Sequence, residues 1–291
     1  VNFGLTGFFG IFFAALLFAL VIHRTMMSPC SSLKELLAPF PFSKVLLLIT
    51  ELFLLVLYSA MLSASSEVLL RIFNINRFAG TLITAAAVTL IILKGYNSIS
   101  DLSEVLFIPI VIIIFIISLT STEKSVTIPP PTVIDTKAFL SPVIYVSYNM
   151  LTTIPLLITI PDKYMYRNCG NQVGIVIFIL SAMLIMPLYT HYSDISSSTL
   201  PLMELLNGRI KYLYEVLLML AIFSTAVSAG YALLHSSKNT GTVKSALFIN
   251  FTAVIISFLG FNTIVNKVYF IFGIAGILLF AVLFLPSKIK Q

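Results

Sequence analysis

Charge is what this 291-residue chain has least of: Asp, Glu, Lys and Arg together supply 10% of it. A soluble domain carries about 25% charged residues, because its surface meets water. With 59% hydrophobic residues and a mean hydropathy of +1.06, a water-coated globule is excluded. The outer surface must meet lipid. Tryptophan is absent, so any interfacial aromatic belt rests on the 12 Tyr and on Phe. Cysteine is scarce, and Cys30 and Cys169 offer neither a disulfide framework nor metal-ligand spacing. Chemical signatures are missing too. There is no Gly-rich phosphate loop, no H-E-x-x-H helix and no nucleophile–base pairing, so an enzyme is not expected. Without a Walker motif, ATP-driven transport is not expected either. His23, His191 and His235 sit singly at span ends and predict no metal cluster. The net charge of +6 is scattered through short segments. A nucleic-acid partner would need a continuous basic stripe, so these residues read as anchors to anionic lipid.

Long apolar runs are what remain, and a helix crossing the hydrocarbon core needs about 20 such residues. Nine candidates follow, at 3–22, 45–66, 78–93, 105–120, 138–160, 173–190, 212–234, 245–261 and 268–286. The predicted fold is an all-α polytopic transmembrane helical bundle forming a single integral membrane domain. Ser28-Pro29, Pro39-Phe40-Pro41, residues 74–77 and Lys94-Gly95 mark turns. The run Pro129-Pro130-Pro131 suits an extended connector, and it separates four helices (1–126) from five (132–291). Of the 17 basic residues, ten fall in loops on one side, from Arg24 to Lys290. Seven fall on the other, from Arg71 to Lys267. The first side, called side one below, is therefore expected to be cytoplasmic, with the C-terminus inside. Val1 enters the first span with no n-region or cleavage site, so that span is not a signal peptide. An odd helix count starting outside suggests either an absent N-terminal helix or a non-standard start.

Residues 141–155 are the most informative stretch, a mid-span segment crowded with hydroxyls, an amide, Pro142 and Pro155. Proline frees a backbone carbonyl, and in lipid such groups must be satisfied by protein, water or solute. A discontinuous helix lining a cavity accounts for the cluster; a kinked helix bonding its neighbours is the alternative. Tyr145, Ser147, Tyr148, Asn149 and Thr152 are the substrate-binding candidates. In a later span Ser224 and Ser228, four apart, share a helical face, with Thr225 and Tyr231 nearby. Their hydroxyls suit a hard cation such as Na⁺, or equally a small-residue packing face. Glu51 lies within the second span, where a charge is costly, and is a candidate for proton coupling or a paired structural Glu.

Several short segments in order carry a resemblance over nearly the whole chain. They are Val1-Asn2-Phe3-Gly4, Lys94-Gly95 with Ile108-Pro109, Tyr145-Val146-Ser147-Tyr148-Asn149, Leu200-Pro201-Leu202 and Ile222-Phe223-Ser224-Thr225-Ala226-Val227. The chain resembles the YkvI family of bacterial membrane proteins, in the amino acid–polyamine–organocation superfamily of secondary transporters. That resemblance implies a LeuT-like inverted repeat of five plus five helices, here lacking the first. It also implies a break in the helix around Ser147–Asn149, with Ser224 and Thr225 where sodium-coupled relatives place hydroxyl ligands. The expected function is a symporter for an amino acid or related amine in the bacterial cytoplasmic membrane, driven by Na⁺ or H⁺ through alternating access. No cofactor is implied apart from Na⁺ as coupling ion. The expected partners are a small solute and membrane lipid. A non-transporting solute sensor on the same fold, or an inactive fragment, is the alternative.

Overall fold

Asparagines make one of the tight corners of the chain. Asn74 ends one helix in the left-handed region (φ 55°), its N–H donating to the Leu70 carbonyl. Asn76 opens the next, its side chain accepting from the Ala79 N–H at 2.8 Å. Two antiparallel spans are thereby joined within a few residues. The computed structural model describes residues 5–28, 30–121, 136–160, 169–191, 202, 205–236 and 243–284. Among them the helices are α1 (Leu5–Met26), the short α2 (Leu33–Leu37), α3 (Ser43–Phe73), α4 (Arg77–Leu93) and α5 (Tyr96–Ser121). They continue as α6 (Thr136–Ile158), α7 (Cys169–Thr190), α8 (Gly208–His235), α9 (Val243–Ser257) and α10 (Phe261–Phe284). The described residues contain no strand.

Each predicted span is a helix, but several boundaries move. Helix α5 begins at Tyr96 rather than near 105, because its first turns carry Asn97, Asp101 and Glu104, which hydropathy leaves out. Helix α9 stops at Ser257, and Gly260 (φ 83°) turns the chain into α10 at Phe261, earlier than the predicted 268. The proline run at 129–131 lies outside the described residues. Six helices, α1, α3, α5, α6, α7 and α8, are long and apolar enough to cross a membrane. Phe9, Phe248 and Phe251, all at least 68% exposed, face outward as lipid requires. The chain is a helical integral membrane protein.

Consecutive long helices alternate in direction, and contacts between distant residues agree. On side one Arg24 Nε donates to the Leu283 carbonyl (3.4 Å), and Ser236 Oγ donates to Glu51 (2.7 Å). At the opposite end Phe8 meets Tyr189, and Phe78 stacks on Phe258.

Helix α3 is the centre of the bundle, with 56% of its apolar stretch buried, and it packs against α4, α8, α9 and α10. Helix α6 packs against α1, α8 and α10, and α1 lies along α7. Small residues set the closest approaches. A Cβ added at Gly276 of α10 would stand 2.1 Å from the Ser147 carbonyl oxygen of α6. One at Gly170 of α7 would stand 2.5 Å from the Ala19 carbonyl oxygen of α1.

A polar knot fixes the centre. The buried Tyr58 hydroxyl donates to Asn250 Oδ1, and Asn250 Nδ2 donates to the Ala85 carbonyl at 3.4 Å. Helices α3, α9 and α4 are thus tied at mid-depth. Tyr58→Phe strands the Asn250 acceptor, so the unfolding midpoint in detergent should fall by the equivalent of about 1–3 kcal/mol.

Candidate functional site

Helix α6 bears the polar segment, and it runs without interruption from Thr136 to Ile158. The expected break at Ser147–Asn149 is not there. The reason is local: the side chains that suggested a break satisfy backbone carbonyls one turn earlier. Ser147 Oγ donates to the Val143 carbonyl (2.6 Å) and Asn149 Nδ2 to the Tyr145 carbonyl (2.7 Å). Thr153 Oγ1 donates to the Asn149 carbonyl (3.0 Å). These are the i−4 bonds that hydroxyl and amide side chains make within apolar helices.

One face of α6 opens on a cavity of about 420 Å³. Residues Tyr145, Tyr148, Asn149, Thr152, Thr153 and Leu156 recur there at helical spacing. Helix α8 supplies Ser224, Thr225 and Ser228, and α3 supplies Phe53, Leu57 and Met61. Two polar walls therefore face one apolar wall. No charged side chain is among these lining residues. The volume falls in the range of small-molecule sites, about 300–1,000 Å³.

The aromatic side of the cavity is itself braced. The Tyr145 ring meets Tyr148 edge-on at 5.4 Å and Phe18 of α1 at 6.1 Å. Tyr145 also borders a second cavity of about 390 Å³ between α1, α6 and α7, lined by Gly7, Gly10, Ser141 and Ser181 among others. Its ring is a wall common to both spaces.

Most of the sequence-predicted site residues meet in this one place. Tyr145, Tyr148, Asn149 and Thr152 on α6 face Ser224, Thr225 and Ser228 on α8 across it. Two do not. Ser147 is 1% exposed and turned toward α10, where its backbone meets Gly276. Glu51 stands outside the cavity: Phe53, two residues on, faces it, whereas Glu51 reaches the end of α8 and accepts from Ser236. The residues that sequence reasoning did not single out are Thr153, Leu156 and the α3 wall. Thr153 sits in the polar segment already noted. Phe53, Leu57 and Met61 carry no local signal, being apolar positions in an apolar run.

For a cation, the α8 hydroxyls supply oxygen ligands of the hard type that Na⁺ takes. Thr225 Oγ1 donates to the Ala221 carbonyl at 2.8 Å, which leaves its lone pairs facing outward. Three hydroxyls on one helix make a side of a coordination shell, and the remaining ligands would have to come from solute, water or another element. In comparisons with known proteins, no family model matches the chain and no curated protein matches it significantly.

Proposed function

We propose that the protein is a secondary transporter for a small organic solute without net charge, an amino acid or a closely related amine-bearing molecule. The observation that carries the reading is the cavity itself. It gathers the polar residues of α6 and α8 opposite an apolar α3 wall and contains no side chain of fixed charge among its lining residues. Such a site suits a zwitterion whose charges are met by hydroxyls and an amide, and whose side chain lies on Phe53, Leu57 and Met61. Transport would proceed by alternating access, with an Na⁺ or H⁺ gradient driving the cycle.

The finer fold reading, a LeuT-like inverted repeat, draws support from how the halves pack. Set α1, α3, α4 and α5 against α7, α8, α9 and α10 in order. The pairs α1–α7, α3–α8 and α4–α9 are then in contact. The packing of α3 on α9 answers that of α8 on α4, and α3 on α10 answers α8 on α5. Helix α6 alone has no counterpart. By the same pairing a counterpart would lie against α3, α5, α7 and α8. Helices α5 and α7 are the least enclosed of the six long spans, with 22% and 11% of their apolar stretches buried against 33% or more elsewhere. This pattern fits the inverted repeat lacking its first helix that the resemblance to the YkvI family implies. Placement in a bacterial cytoplasmic membrane with the C-terminus inside belongs to the same reading.

Uptake of labelled amino acids into proteoliposomes, with Na⁺ and H⁺ gradients imposed separately, tests the function. Gradient-dependent accumulation is expected. Ligand-induced thermal stabilisation without flux would replace the transporter by a solute sensor. Glu51 decides the coupling ion. If protons drive the cycle through the Glu51–Ser236 contact, Glu51→Gln abolishes uptake driven by a pH gradient while counterflow exchange persists. Full pH-driven uptake by that variant would exclude Glu51 from coupling.

A further inference from the structure

The polar side chains around the cavity fall into two classes according to where their protons go. A serine or threonine on an apolar helix often returns its proton to the carbonyl one turn earlier. Thr153 and Thr225 both do so, at 3.0 and 2.8 Å. Asn149 gives a side-chain N–H in the same way to the Tyr145 carbonyl. Because a carbonyl can only accept, that bond also fixes how the amide lies, with Nδ2 toward the backbone and Oδ1 away from it. Asn149 and Thr153, four residues apart, thus form an α6 stripe that offers oxygen lone pairs to the cavity.

The α8 stripe is of the opposite kind. Ser224 and Ser228 line the cavity half-buried, and among the described residues neither hydroxyl has a hydrogen-bond partner. Each therefore keeps a proton for whatever fills the space. One turn of helix sets their Cβ atoms about 5–6 Å apart. A carboxylate that accepts one hydrogen bond of about 2.5–2.7 Å on each oxygen fits between two hydroxyls at that spacing. Each stripe has a neighbour of the other class, since the Thr152 hydroxyl on α6 is free and that of Thr225 on α8 is committed. The pairs at four-residue spacing nonetheless divide by helix, acceptors on α6 and donors on α8. With no charged side chain among the lining residues, this division is what the two ends of a solute have to meet.

We infer that the cavity selects solutes carrying both charges of an amino acid and holds them in one orientation, with the ammonium on Asn149 Oδ1 of α6 and the carboxylate between Ser224 and Ser228 of α8. An ammonium has three donors and no acceptor, so it is matched by the lone-pair stripe. A carboxylate only accepts, so it is matched by the free hydroxyl protons. An amine without a carboxylate would leave those protons unmet once the cavity is filled, which costs affinity. The inference rests on the solute site proposed above and narrows its substrate class to amino acids with a free carboxylate. Its test reads binding, not flux.

Three probes of similar shape are titrated calorimetrically into the protein in lipid nanodiscs at neutral pH: L-leucine, 3-methylbutylamine, which lacks the carboxylate, and 4-methylpentanoate, which lacks the ammonium. L-Leucine should bind at least about 10-fold more tightly than either analogue, each of which forfeits hydrogen bonds to a charged group. Ser224→Ala and Ser228→Ala should each weaken L-leucine by about 10-fold and leave 3-methylbutylamine unchanged. Asn149→Ala should weaken L-leucine and 3-methylbutylamine alike and leave 4-methylpentanoate unchanged, which also shows that this variant is folded. Serine variants that weaken the amine as much as L-leucine would overturn the orientation, and so would an Asn149→Ala that spares the amine. Serine effects that vanish when choline replaces Na⁺ would overturn it too, because the hydroxyls would then be holding the cation. If neither L-leucine nor L-phenylalanine binds, the solute site falls and the orientation with it. If the probes bind in the expected pattern without gradient-driven uptake, the orientation stands and only transport falls.

Discussion

Gly276→Ala is expected to lower the stability of the protein by about 3 kcal/mol or more, at or beyond the upper end of ordinary overpacking. The added methyl would stand 2.1 Å from the Ser147 carbonyl oxygen and 2.4 Å from its carbon, so the obstacle is backbone. No rotamer change can relieve it; α6 and α10 must separate. Because α6 carries half of the cavity's polar wall, the loss should appear twice. The apparent melting temperature in detergent drops, and the stabilisation given by a bound amino acid weakens with it. Ser147→Gly should not rescue Gly276→Ala, since the clash is with main-chain atoms. Rescue by that change would mean that the contact is made by the serine side chain.

Asn149→Ala is expected to reduce uptake at low substrate concentration by about 10-fold to 100-fold, the range for a hydrogen bond to a charged group. The Asn149 amide nitrogen is engaged with the Tyr145 carbonyl at 2.7 Å, which fixes the side chain and turns its oxygen to the cavity as an acceptor for an ammonium group. Thr153→Val should be milder, because the Thr153 hydroxyl is already committed to the Asn149 carbonyl. Radiotracer uptake at substrate concentrations below KM measures both. If Asn149→Ala transports normally, the solute sits elsewhere, and the space between α1, α6 and α7 becomes the next candidate.

The spans themselves were legible, because the need for a lipid-facing surface is written in uninterrupted apolar runs such as 3–22 and 173–190. So were their corners, where Asn74 and Gly95 take conformations that other residues avoid and Asn76 caps a helix with its side chain. The partnership between α6 and α8 was half legible. Each segment announced its polarity, but nothing in either said that they face one another. Two readings required coordinates. Ser147 has the right chemistry for a binding residue, yet it is buried where α6 meets α10, and in a helix with polar residues on more than one face the sequence does not say which face meets the cavity. The supposed break in α6 rested on polar content. Polar content fits an open helix or one whose side chains return to its own backbone, and the two look alike until the bonds are seen. The α3 wall was silent for a related reason, since residues that face solute and residues that face lipid are drawn there from the same apolar set.

Helix α4 is closed at both ends, by the Asn76 cap and by Lys94. Its 17 residues rise about 26 Å at 1.5 Å each, some 4 Å less than a typical hydrocarbon core. Phe78 and Leu90 on its outer face are 58% and 64% exposed, so acyl chains rather than protein cover this flank. Lipid beside it must thin, or Arg77 and Lys94 must stretch toward the headgroups. Long α3 imposes no such demand from the centre. The protein therefore carries a local thickness preference: annular lipid is compressed where α4 and the still shorter α9 (15 residues) meet it, and shorter-chain lipids should collect there.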